Sequence, residues 1–65
     1  MGKYLLYVED QSGKFLLDTH PAFPIRACNV EDAKYEACID RIEKHYKSYQ
    51  IRSWKSGRIL AEGNL

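Results

Sequence analysis

The sequence has little of most things that would announce a function. Ten lysines and arginines against nine aspartates and glutamates leave a net charge of +1. That excludes a strongly basic tail and an acidic mimic of nucleic acid. No apolar run approaches the ~18 residues of a membrane span, and Met1-Gly2-Lys3-Tyr4-Leu5 lacks the apolar core of a secretion signal. Leu6 stands where a myristoylation signal needs serine or threonine. Only two cysteines occur, Cys28 and Cys38. A helix starting near Asn29 would set them about 15 Å apart, whereas a disulfide needs Cα atoms within about 7 Å. Both therefore read as reduced thiols, and the expectation is a soluble, cytoplasmic protein. No GxGxxG, Walker A or HExxH pattern is present.

What is present is a small globular domain. Residues 1–65 make one unit, 45% hydrophobic and 29% charged, able to bury only roughly 60% of its unfolded surface. Ser12-Gly13-Lys14 and Ser56-Gly57-Arg58 are two versions of one turn, each flanked by strand-like runs. Glycine after a polar residue supplies the positive φ that tight hairpins need. Between the two turns, Asn29 to Lys47 has a helical pattern, with Asn29 as N-cap, Glu31 and Asp32 in the first turn, and an apolar stripe of Tyr35, Cys38, Ile39, Ile42, Tyr46 and Tyr49. The spacing predicts a two-layer α+β domain, β-β-α-β-β, with an antiparallel sheet and one helix packed across one face.

Alternation puts Tyr4, Leu6 and Val8 on one face of the first strand, with Leu5 and Tyr7 on the other. Phe15 and Leu17 oppose Leu16 in the second strand. Thr19 to Cys28, with Pro21 and Pro24, reads as a connector held to the core by Phe23 and Ile25. Strands from about Tyr49 to Lys55 and from Arg58 to Glu62 form the second hairpin. A two-residue turn at Ser56-Gly57 would pair Trp54 with Ile59 and Arg52 with Ala61.

Catalytic and metal chemistry find little support. His20, Cys28, Cys38 and His45 lack the closely spaced ligand pairs of a zinc site, and nothing orients His20 towards Cys28 as a nucleophile's base. The expectation is a protein that is not an enzyme, with no cofactor and no metal. Two surfaces remain. An apolar sheet face carrying Leu5, Tyr7 and Leu16, beside Arg52 and Trp54, contains the residue types that dominate protein interfaces. A basic–aromatic stretch, with Lys44, Lys47, Arg52, Trp54, Lys55 and Arg58, offers the phosphate contacts and stacking of a nucleic-acid surface.

The hairpin, the segment His20-Pro21-Ala22-Phe23-Pro24 and the acidic-start helix resemble, in element order over residues 4–46, the N-terminal half of HicB-type antitoxins. Pro24-Ile25-Arg26-Ala27-Cys28 stands where that family has a Pro-Gly-Cys segment. Those antitoxins pair with a small mRNA-degrading toxin, so the resemblance implies a protein partner. In size and style the chain is also similar to accessory proteins of phages and mobile elements, which dock on host complexes. The expected function is thus stoichiometric binding to a host protein or complex, as an inhibitor or regulator, with self-association into a homodimer. Nucleic-acid binding is the alternative, and a membrane is not an expected partner.

Overall fold

The computed structural model describes residues 2–20, 22–42 and 45–65. The elements run β1 (Gly2–Glu9), β2 (Phe15–Leu17), β3 (Ile25–Ala27), α1 (Val30–Glu36), a single 3-10 turn (Ile39–Arg41), β4 (Ser48–Ser53) and β5 (Ile59–Asn64). The five strands form one antiparallel sheet, and α1 lies across one face of it, so the domain is α+β. No helix among the described residues is long and apolar enough to cross a membrane.

β1 is the centre of the sheet. β4 pairs along one side of it, with Leu6 opposite Ile51 and Val8 opposite Tyr49. Its other side is shared end to end by β2 and β3, with Tyr7 opposite Leu17 and Tyr4 opposite Ile25. Three steps along β1 thus match eight along its neighbour, an excess of five residues. The connector is the detour that takes up this excess. Where β2 stops, the Asp18 amide donates to the Leu6 carbonyl (2.9 Å) and the Leu6 amide donates to Thr19 Oγ1 (3.1 Å). Leu6, in the middle of a core strand, therefore keeps both backbone groups bonded. β3 corrects the expectation of an unstructured connector. Ile25 does pack on the core, whereas Phe23 is 77% exposed and holds nothing down. Pro21 lies outside the described residues.

The helix starts as expected and ends early. Asn29 Oδ1 accepts the Asp32 amide at 2.9 Å, a side-chain N-cap. The α-helix stops at Glu36 rather than Lys47, and Cys38 takes a left-handed conformation with φ 54°. The buried side is also rotated from the expected stripe. Val30, Ala33 and Ala37 meet the sheet, while Tyr35 is 83% exposed and Cys38 is exposed. Ala33 has no exposed surface at all. A methyl group at the contact lets the helix axis come close to the strands, which a Tyr or Ile there would prevent. After the break, half-buried Ile39 and Ile42 close the flank of the core, and Tyr49 enters it as a strand residue.

The core lies between α1 and the sheet face bearing Tyr4, Leu6, Tyr49 and Ile51. Tyr49 lies over Gly63, its cross-strand partner. A Cβ at residue 63 would sit 2.9 Å from the phenol oxygen, so a side chain there would displace the ring.

Both turns use glycine as expected, at φ 88° for Gly13 and 75° for Gly57, but the second loop is longer than the two residues expected for it. In the first, the Asp10 amide donates to the Lys14 carbonyl (2.9 Å), leaving three residues outside the ladder. Asp10 Oδ1 accepts from Ser12 Oγ (2.6 Å), Ser12 N (2.9 Å) and Lys14 N (3.0 Å). In the second, Ser53 donates to the Arg58 carbonyl (2.9 Å), which leaves four residues in the loop. Arg52 therefore pairs with Ile59, and Ile51 with Ala61, across an irregular step. The expected Trp54–Ile59 and Arg52–Ala61 pairs are each displaced.

Candidate functional site

Loop length decides what the open face carries. Cross-strand partners share a face, and the three-residue first loop sets Glu9 opposite Phe15 and Tyr7 opposite Leu17. Phe15 and Leu17 consequently join Leu5 and Tyr7 on the side away from α1. Leu16, opposite Val8, is turned to the helix side and is half-buried there. Leu16 is thus removed from the expected binding surface. Phe15 and Leu17 replace it.

On β4, Gln50 lies opposite Tyr7 and Arg52 opposite Leu5, so both belong to the open face. The Arg52 guanidinium stacks over the Tyr7 ring at 4.1 Å from its centroid, with the Phe15 ring at 5.9 Å. Gln50 Oε1 accepts from Arg52 Nε (2.9 Å) and Nη2 (2.5 Å), while Gln50 Nε2 donates to Glu62 Oε2 (3.2 Å). Gln50 is only 7% exposed. Its amide anchors the guanidinium beside the Tyr7 ring without contributing a charge. A second cation–π pair lies at the end of the same face, with Lys3 Nζ 4.9 Å from the Trp54 ring. Beside it, Lys3, Tyr4, Trp54, Lys55 and Leu60 line a shallow groove of about 470 Å³. Leu17, Trp54 and Ile59 are exposed hydrophobic side chains, while Leu5 is buried.

Of the five residues expected at a protein interface, the fold therefore gathers Leu5, Tyr7, Arg52 and Trp54. Sequence reasoning missed Gln50, which carries no motif. It could have reached Phe15 and Leu17 had the loop been counted as three residues.

Of the residues expected at a nucleic-acid surface, Arg52, Trp54, Lys55 and Arg58 lie together towards one end of β4, and Lys47 lies at the other. Lys47 sits beside the far end of β1, its amide donating to the Glu9 carbonyl at 2.8 Å. Lys55 and Arg58 are in the β4–β5 turn, so β4, six residues or roughly 20 Å long, separates them from Lys47. Glu9 and Glu62 lie on the open face between these groups. Lys44 lies outside the described residues.

Neither cysteine is in a disulfide, and both are exposed. His20 Nδ1 accepts the Ala22 amide (3.1 Å) and its ring packs on Phe23, so local structure, not Cys28, orients it. Among the described residues, no three His, Cys, Asp or Glu side chains are grouped to hold a metal ion. Among the described residues, Asp10 has a clearly displaced titration. Its carboxyl is held below the usual range, first by the Ser12 hydroxyl and then by the Lys14 amide. No protein-family model, curated protein or solved structure matches the chain.

Proposed function

We propose that this is a non-enzymatic binding protein, an inhibitor or regulator that docks stoichiometrically on another protein through its open sheet face. The observation that supports this reading is the cluster at the centre of that face. There, Arg52 is pressed onto Tyr7 and Phe15 and bordered by exposed Leu17, Trp54 and Ile59. Aromatic and arginine side chains fixed in position before contact are what interface hot spots are made of, because little side-chain entropy remains to be lost on binding. The exposed free thiols of Cys28 and Cys38 fit action in a reducing compartment such as the cytoplasm.

The exposed apolar border around Arg52, made of Leu17, Trp54 and Ile59, favours protein over nucleic acid as the partner. A pull-down from native host extract separates the two. The expected outcome is one protein retained at equal stoichiometry, unaffected by nuclease and lost with Trp54→Ala. Retention that nuclease abolishes, with Arg52→Ala plus Lys55→Ala having the same effect, would instead identify a nucleic-acid module.

A further inference from the structure

The geometry around Arg52 points to a specific ligand chemistry, and we propose that the open face carries a carboxylate-binding site for an acidic side chain set in an apolar segment of the partner. The inference rests on the protein-docking reading and goes beyond it by naming the group recognised. A guanidinium presents two usable edges to an acceptor, one from Nε and Nη2 and one from Nη1 and Nη2. In Arg52 the first edge is consumed by Gln50 Oε1. Nη1 has no hydrogen-bond partner among the described residues, and Nη2 spends one of its two protons. No side-chain polar atom in the described part of the protein is both buried and unbonded, so Nη1 reaches solvent. The second edge is therefore open, held in a fixed plane, and shaped for two parallel bonds to a planar carboxylate.

The charge is available as well as the geometry. Arg52 has no carboxylate within 4 Å, and the one ion pair among the described residues is Lys34–Glu31, on the helix. Its nearest polar partner, Gln50, is a neutral amide, and Glu62 bonds to that amide rather than to the guanidinium. A carboxylate at residue 50 would have paired with Arg52 and cancelled the site. Tyr7 and Phe15 beneath the guanidinium keep water from one side of it and strengthen a charge-assisted bond formed on the other. Trp54 and Leu17, both exposed, supply the apolar border. An isolated acidic group on a polar surface would miss that border, so the ligand is an acid flanked by hydrophobic residues.

The test uses the purified full chain and a set of synthetic peptides of leucine and phenylalanine, each centred on Glu, Gln, Lys or phosphoserine. A dT oligonucleotide is run beside them, and the Arg52 Nε–H and Nη–H resonances are followed by NMR. The Glu-centred peptide should bind more tightly than the Gln-centred one by about tenfold to a hundredfold, the range of a two-bond charged contact. It should also shift the Arg52 resonances. Arg52→Lys should erase that preference while leaving the fold and residual apolar binding intact, because an ammonium keeps the charge but not the fork. Trp54→Ala should weaken all peptides alike.

Equal binding of Glu and Gln peptides would overturn the carboxylate site while leaving a docking face. Preference for phosphoserine or for dT over Glu would overturn it in favour of phosphate recognition. Absence of binding to every probe would overturn it outright. A pull-down that fails while the Glu peptide still binds through Arg52 would sink the protein-docking reading and spare the site.

Discussion

The two faces of this sheet are built on opposite plans. The helix side is made of apolar groups and small contacts: Leu6, Ile51 and Ala33 are almost wholly out of water, and Gly63 clears room for the Tyr49 ring. The open side places two cations on aromatic rings and ties one of them down through a buried glutamine. One face holds the domain together by excluding water. The other is ordered without being covered. Loop chemistry, more than composition, decides which apolar residues go to which side.

The sharpest way to break the contrast is Ile51→Ala. It removes a side chain with no exposed surface from the middle of the helix-side core, and a loss of about 2–5 kcal/mol is expected in a urea or thermal melt. For a 65-residue domain that is most of the folding free energy. Next comes Ala33→Leu, which enlarges the point where α1 touches the sheet. Overpacking there is expected to cost about 1–3 kcal/mol in the same assay. On the open face, Leu17→Ser should change stability by no more than about 0.5 kcal/mol, because the side chain is already 39% exposed. A large loss from Leu17→Ser would mean that the open face is structural after all. The smallest effect belongs to Asp10, at the hairpin edge. Its carboxyl is held below the ordinary value near 3.8, so its contribution is fully present above that pH and is lost as pH falls through the lowered value. The stability advantage of the wild type over Asp10→Ala, measured from neutral to strongly acidic pH, should therefore shrink at the acid end.

Much of this was legible in the residues. Alternation and the two glycine turns marked β1, β2, β4 and β5, and Asn29 marked the start of the helix. The end of the helix was not legible. Apolar periodicity continues through Ile39, Ile42 and Tyr46, but a stripe reports which residues would share a helical face, not whether the chain stays helical. No glycine marks the left-handed residue where it stops; that residue is Cys38. β3 was hidden because three residues after Pro24 carry no alternation worth reading. At the candidate site, Tyr7, Arg52 and Trp54 stood out by type, whereas Gln50 matters only through two hydrogen bonds to a neighbour on its own strand. Such a role has no signature in spacing.

The central position of β1 has a kinetic consequence. The strand that three others lean on precedes them all in the chain, and its most distant pairing joins Tyr4 to Ser53, 49 residues later. Closing so wide a loop must precede any gain from the pairing, which slows folding relative to a chain of local contacts. Until residues 48–53 emerge, the β1–β2 hairpin has an apolar side and an unpaired edge exposed to whatever else is nearby. Rapid synthesis therefore favours shielding of the β1–β2 hairpin until β4 is available to pair with it.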